Sequence, residues 1–194
     1  MLKRMSLRFG VLAGALACSL LVSQPAAASS IVLNGGFETG TFAGWTLSGN
    51  PGFVSISGAV HSGTFAAAFG AVGSDTVLSQ ALATTPGATY NLSFWLSNGS
   101  GVAPNDFAAF WGGFPTGVSF VNAPAMAYTE FVVTGLVAAG PSTMLTFNFR
   151  HDPSFWYFDD VSVEAPIPEP TSMLLLGSGL AALVAARRRA QRKS

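Results

Sequence analysis

Apolar and polar residues alternate with a period of two through much of this chain, and that period is the signature of half-buried strands. Over Thr89–Ser97, Tyr90, Leu92, Phe94 and Leu96 share one face, and Asn91, Ser93, Trp95 and Ser97 share the other. Thr143–Arg150 repeats the pattern, with Leu145, Phe147 and Phe149 predicted inward and Thr146, Asn148 and Arg150 outward. Shorter strands are predicted at Phe53–Ser57, Thr64–Phe69, Thr76–Leu82, Phe107–Trp111, Val118–Asn122, Tyr128–Thr134 and Phe155–Val163. Pro51, Pro86-Gly87, Asn98-Gly99 and Gly140-Pro141 punctuate them with turn signals. No amphipathic helix interrupts the series between Ser29 and Ala165. Nine or so short strands with regular turns predict an all-β, jelly-roll β-sandwich.

The two ends of the chain break this period. Lys3, Arg4 and Arg8 precede an apolar stretch of 14 residues from Phe9 to Val22, followed by Ala26-Ala27-Ala28. That order describes a secretory signal peptide over residues 1–28, with cleavage after Ala28. At the other end, Pro168-Glu169-Pro170 leads into a 16-residue apolar run, Thr171–Ala186, which is followed by Arg187-Arg188-Arg189, Arg192 and Lys193. A helix of that length spans about 24 Å at 1.5 Å per residue, short of the roughly 30 Å hydrocarbon core. It predicts a short C-terminal transmembrane helix, with the basic tail 187–193 held cytoplasmic. The domains expected are therefore 1–28, a sandwich ectodomain over 29–165 and a tail over 166–194. A plain tail anchor is the alternative for the last of these.

The formal net charge of zero conceals a partition. Eight of the nine Lys and Arg residues lie in the two terminal segments. Between Ser29 and Ala165 one base, Arg150, stands against eight acids, a net charge of −7 with both histidines neutral. A domain this acidic lacks the basic footprint that nucleic acid requires. The single cysteine, Cys18, falls in the leading apolar stretch, so the ectodomain has no thiol chemistry.

The Pro-Glu-Pro motif, apolar run and Arg cluster together resemble the PEP-CTERM sorting signal of exopolysaccharide-producing Gram-negative bacteria. The resemblance implies recognition by an exosortase at the inner membrane, through Pro168, Glu169 and Pro170, and delivery to the cell envelope or extracellular matrix. The same tail is shared with proteins classed as ice-binding, but the threonines here lack the regular spacing of an ice-matching face. A second resemblance runs through the ectodomain. Asn34-Gly35-Gly36-Phe37-Glu38-Thr39-Gly40 with Gly44-Trp45, then His61–Ala66, then Phe158–Val163, are similar to three blocks of galactose-binding-like and carbohydrate-binding-module sandwiches.

That second resemblance implies a structural Ca²⁺ on Glu38 and Asp159, joined by carbonyls near Ser62-Gly63. Oxygen donors suit such a hard cation. Asp159 has the parity of Val161 and Val163, which predicts an inward, buried carboxylate, costly unless paired or coordinated. The alternative is that Asp159 accepts backbone N–H bonds while Glu38 is solvated. For ligand binding, sugar rings stack on flat aromatic faces while polar side chains bond the hydroxyls. Trp95 with Asn91, Asn148 and Arg150 is expected to form one exposed platform, and Trp111, Phe107, Phe110, Phe114 and Trp156 are further aromatic candidates. Burial in a second core layer is the competing fate of these aromatics. Arg150 is expected in an ion pair with Asp152, Glu130 or Asp106.

No nucleophile elbow or phosphate loop is present, so no catalytic residue is assigned. Asp106 and Glu130 are the carboxylates available to a glycosidase. The reading is an exported, non-catalytic envelope or exopolysaccharide-matrix protein that binds carbohydrate weakly. The alternatives are a structural or adhesive matrix protein without a small ligand, and a glycan-active hydrolase.

Overall fold

The computed structural model describes residues 29–152 and 154–165, together with 177–180, 183, 188 and 191. The expected signal peptide, the Pro-Glu-Pro motif and most of the expected transmembrane helix lie outside the described residues. Among the described residues, 177–180, 183, 188 and 191 are helical, and no helix is long and apolar enough to cross a membrane.

The remainder is almost wholly β. Ten strands occur among the described residues: β1 (Thr46–Gly49), β2 (Val54–Ser57), β3 (Ala66–Phe69), β4 (Thr76–Ala83), β5 (Thr89–Asn98), β6 (Asn105–Trp111), β7 (Phe114–Val121), β8 (Met126–Val137), β9 (Ser142–His151) and β10 (Trp156–Glu164). They form two antiparallel sheets of five, β1-β4-β9-β6-β7 and β2-β3-β10-β5-β8, which is the sandwich the alternation predicts. The nine predicted strands are all present. Only β1 is additional, a four-residue edge strand that pairs with β4 from Thr46↔Ser79 to Gly49↔Thr76 and contributes a single apolar residue, Leu47. It is too short to show a period.

The inward parity of each strand supplies one aromatic layer between the sheets. Phe94, Phe107, Phe147, Phe149 and Phe158 are each 1% exposed or less. Phe69 and Phe149 stack at 3.9 Å with their planes 5° apart, and Phe147 meets Phe158 edge-on at 4.7 Å. Burying each such ring is worth about 1.5–3 kcal/mol, and the T-shaped and offset pairings add to this.

The opening Asn34–Trp45 block closes one end of the core. Phe37 is fully buried and packs on Trp45, Phe42 and Phe158. The Asn34 amide donates to the carbonyls of Thr41 and Ala43, and the Trp45 indole N–H donates to the Asn34 carbonyl. Gln80 clamps the segment to β4, its amide oxygen accepting from Leu33 N–H at 2.8 Å and its NH₂ donating to Leu33 O at 3.0 Å.

Elsewhere a buried polar network ties loops together around His151. Asn98 donates to the carbonyls of Ala123 and Pro124, and Asn105 to those of Val102 and Ala123. His151 is fully buried. Its Nε2–H donates to Asn98 Oδ1 at 2.7 Å and to Ser100 O at 2.9 Å, while Nδ1 accepts from Ser154 N–H at 3.3 Å. Both ring nitrogens are thus matched to a neutral imidazole, and burial pushes the ring's pKa below its ordinary value.

The unfolded chain protonates His151 near pH 6.5, whereas the native chain resists. This contribution to stability is therefore complete above that pH and is lost as pH falls through it, by up to about 1.4 kcal/mol per pH unit. Urea unfolding at about pH 7.5 and about pH 5.5 is expected to show a larger loss in the natural chain than in His151→Gln. Equal losses would show that the ring is not held neutral.

Candidate functional site

The outer face of the β1-β4-β9-β6-β7 sheet carries a groove. Its floor is a row of residues in register across four strands: Val77 on β4, Asn148 on β9, Ala108 on β6 and Ser119 on β7. Ala108 has a one-carbon side chain, and the residues two before and two after it on the same face are Asp106 and Phe110. A small residue between larger ones on one strand face leaves a depression. The resulting cavity has a volume of about 280 Å³ and is lined chiefly by Asp75, Asp106, Phe110, Ser119, Val121 and Asn148. Phe110 is half-buried here, as are Asn148 and both aspartates. The groove thus offers an aromatic ring with an amide, a hydroxyl and two carboxylates around it.

Beside the groove, Arg150 lies opposite Asp106 in the β6–β9 register, yet its Nη2 donates to Asp152 Oδ2 at 3.0 Å. Of the three acids expected as partners, Asp152 is the one engaged. The guanidinium hydrogen bond, reinforced by Gly73 N–H, holds the Asp152 carboxyl below its usual range. Among the described residues, Arg150 Nε is buried and has no hydrogen-bond partner.

The single platform expected from Trp95, Asn91, Asn148 and Arg150 does not form. β5 and β9 belong to different sheets, and the outward faces of the two sheets point in opposite directions. Asn148 and Arg150 therefore share the groove side, while Asn91 and Trp95 lie on the other side of the molecule. Trp95 is also partly covered: the His61 ring stacks on it at 3.5 Å, 10° from parallel. Trp111 is a core residue, 5% exposed, with its indole N–H donating to Val137 O at 2.8 Å. Its parity matches Phe107, which points inward, so it is not an exposed platform. Asp106 and Glu130 are separated in the same way: Glu130 lies opposite Trp95 on the outer face of the second sheet.

A second cavity, of about 520 Å³, opens beside the β6–β7 turn and is lined by Trp111, Phe114, Leu136, Val137 and Met144 among others. No charged side chain lines it, and the Thr143 hydroxyl at its edge is already bonded to Thr84. Its other hydroxyl side chain is Ser142.

The carboxylates Glu38 and Asp159 gather around the loop that precedes β3. Asp159 lies opposite Trp95, so it faces the outer side of its sheet, contrary to the inward parity expected. The reason is a bulge: pairing shifts between Asp159 and Ser162, and Asp160 has φ 49°. The loop over it, not the core, buries Asp159. Asp159 accepts N–H bonds from His61 (2.9 Å), Ser62 (3.3 Å) and Asp160 (2.8 Å). Burial nonetheless raises its pKa, outweighing those three donors.

Glu38 is not merely solvated, because it accepts from Thr64 N–H at 3.0 Å and Phe65 N–H at 3.1 Å. Asp160 accepts from the His61 ring at 2.7 Å and from the Ser62 hydroxyl at 2.9 Å. Two glycines make the arrangement possible. A β-carbon on Gly63, which has φ +66°, would fall 2.2 Å from Glu38 Oε1. One on Gly36 would meet Asp160 Oδ1 at 3.3 Å, Glu38 Cγ at 3.7 Å and Asp159 Oδ1 at 3.8 Å. The Asp159 and Asp160 carboxylates thus approach Gly36 together with the Glu38 side chain, which meets it through Cγ while its carboxylate lies at Gly63, and no Lys or Arg is among the residues that bond the three. A hard cation fits this oxygen chemistry. Among the described residues, no group of three or more His, Cys, Asp and Glu side chains forms a metal-ligand set by itself.

Of the groove residues, Phe110 is among the aromatics expected as stacking candidates and Asn148 among the polar ones, whereas Asp75, Ser119 and Val121 were not singled out. Phe110 lies one residue from Trp111 and therefore on the opposite, outward face. Asp75 precedes β4 and carries no periodic signal.

With this geometry in hand, likenesses to known proteins are informative. Residues 29–109 match the carbohydrate binding domain family, and residues 166–189 match the PEP-CTERM protein-sorting motif. No curated protein matches the chain. Among solved structures, the chain is similar to TmCBM61 in complex with β-1,4-galactotriose, at 19% identity and a TM-score of 0.58, over 71% of this chain and 99% of that one. It is similar to the CBM22-1 xylan-binding domain of Xyn10C from Paenibacillus barcinonensis, at 18% identity and a TM-score of 0.51, over 75% and 100%. It is also similar to the K3 cleaved adhesin domain of Lys-gingipain from Porphyromonas gingivalis W83, at 18% identity and a TM-score of 0.51, over 69% and 99%. At these identities the likeness is one of fold. The chain carries a PEP-CTERM sorting motif and a sandwich of the carbohydrate-binding-module type.

Proposed function

We propose that this protein is an exported, non-catalytic glycan-binding protein whose ligand lies across the outer face of the β1-β4-β9-β6-β7 sheet. The observation that carries the reading is the groove at Ala108, where the Phe110 ring and the Asn148 amide line the same cavity. A sugar needs both, an apolar face to stack on and polar groups for its hydroxyls. The match to a carbohydrate binding domain and the carbohydrate-binding neighbours of the fold support it.

The PEP-CTERM match supports export to the envelope. In this reading the leading apolar segment is a signal peptide, an exosortase acts at Pro168-Glu169-Pro170, and the sandwich is released to the envelope or the exopolysaccharide matrix. Glu38 and Asp159 would hold a structural Ca²⁺, with backbone carbonyls near Ser62-Gly63 completing the site. The ion would supply positive charge beside Glu38 and Asp159, and would fix the loop before β3.

Three outcomes follow. In affinity electrophoresis against a panel of neutral polysaccharides, Phe110→Ala and Asn148→Ala are each expected to weaken binding about three- to tenfold, from the loss of a stacking contact or a hydrogen bond. Trp95→Ala should leave it nearly unchanged, and the reverse pattern would move the site to the other sheet. Thermal unfolding in Ca²⁺ should lie several degrees above that in EDTA, because a ligand at about 100 times its Kd adds about 2.7 kcal/mol. Glu38→Gln should abolish the difference, and a natural chain indifferent to EDTA would remove calcium from the account. Intact mass of the protein from cells and from medium should show loss of residues 1–28 and a cut near Pro168. A chain retaining its C-terminal tail in both fractions would refute sorting by cleavage.

A further inference from the structure

The chain leaves the sandwich at an end unlike the rest of its surface. β10 runs from Trp156, opposite Asn98, to Glu164, opposite Asn91. The six residues 165–170 then lead to the apolar run that begins at Thr171. The same end holds the β4–β5 turn (84–88), the β6–β7 turn (112–113) and the β8–β9 loop (138–141), and none of these contains an ionisable residue. Phe114, Val137 and Met144 lie there, 77%, 57% and 46% exposed, around the uncharged cavity beside the β6–β7 turn.

The acids are distributed away from this end. Asp75, Asp106 and Asp152 lie at the opposite end, beside Thr76, Asn105 and His151. Glu130 and Asp159 both pair with Trp95 in mid-strand, and Glu38 and Asp160 gather with Asp159 around the loop before β3. Among the described residues Glu164 is the one acid at the tail end, and its carboxylate accepts from the Ser162 hydroxyl at 3.1 Å. The turns at this end also bond one another. Gly87 N–H donates to Ala138 O at 2.8 Å, Ala138 N–H to Ala88 O at 2.9 Å, Thr84 N–H to Pro141 O at 3.0 Å and Gly112 N–H to Met144 O at 2.9 Å. The Thr84 hydroxyl and the Trp111 indole take the carbonyls of Gly140 and Val137. Backbone groups paired in this way can approach hydrocarbon at little cost, whereas unpaired ones cannot.

From this we infer that the tail-bearing end of the sandwich is a lipid-facing surface, which seats Phe114, Val137 and Met144 in the interfacial layer of a bilayer while the tail holds the chain there. The inference rests on the reading of 171–186 as a membrane segment and adds a contact made by the folded domain itself. Six residues reach at most about 22 Å, so the tether keeps Glu164 close to the headgroups. Exposed apolar side chains gathered in one patch favour such an interface. Seven of the eight acids lie away from it, where anionic headgroups repel them least.

The test uses the full chain carrying Cys18→Ser, extracted from the membranes of a host without an exosortase. It is reconstituted in vesicles of phosphatidylethanolamine and phosphatidylglycerol that contain a nitroxide-labelled lipid. A fluorophore is attached through Ser142→Cys, at the tail end, or through Val121→Cys, roughly 23 Å from Phe114 along β7 at about 3.3 Å per residue. The label at position 142 should lose most of its fluorescence to the nitroxide, and the label at position 121 should lose little. Adding Phe114→Ser and Val137→Ser, both at exposed positions, should abolish the loss at 142 while the chain still floats with the vesicles and keeps its far-ultraviolet spectrum. Quenching that survives the double substitution would come from tethering alone and overturn the lipid contact. Equal quenching at 142 and 121 in chains that float would also overturn it and leave the tail reading standing. Chains that do not float would overturn both.

Discussion

The aromatic layer between the sheets fixes almost everything else in this molecule. Phe94, Phe107, Phe147, Phe149 and Phe158 come from four strands of two sheets and meet within a few ångströms of one another. Because side chains alternate along a strand, placing these rings inward leaves no choice for their neighbours. Asn148 must face outward once Phe147 and Phe149 face in, and Asp106 and Ala108 must do so once Phe107 does. The groove is thus the back of the core. Its chemistry is written on the positions that the hydrophobic packing did not need.

This also explains which parts of the structure could be read from the sequence. β5 and β9 were legible because each sustains a strict alternation over eight residues or more, and one misplaced residue would expose a row of Phe and Leu to water. The short edge strand β1 was not legible, since four residues with a single leucine carry no period. The orientation of Asp159 was misjudged because parity counts residues, and the bulge after it inserts one. What sheet a strand joins is a matter of long-range pairing. Alternation alone could therefore place Trp95 and Asn148 on outward faces but could not show that those faces are on opposite sides of the sandwich.

The two acidic regions illustrate different solutions to one electrostatic problem. Around Asp159 and Glu38 the backbone supplies N–H donors, and the loop geometry depends on glycines that leave room for oxygen atoms. Along the groove, the carboxylates remain partly in water and the single guanidinium is committed to Asp152. The first arrangement organises a loop, and the second shapes a surface potential. Both occur in a domain whose only Lys or Arg is Arg150, and that one guanidinium pairs with Asp152.

β10 is the last strand among the described residues, yet it lies at the centre of its sheet, between β3 and β5. The segment at the opposite end of the domain also depends on it, through the Ile31 N–H bond to Val163 O and the Val161 N–H bond to Gly35 O. A chain threaded across a membrane from its N-terminus would therefore deliver nine strands that cannot yet close. The sandwich would gain its middle only as Trp156–Glu164 emerged, immediately before the sorting motif that begins at residue 166. Completion of the fold and emergence of the segment that matches the sorting motif would then be nearly one event.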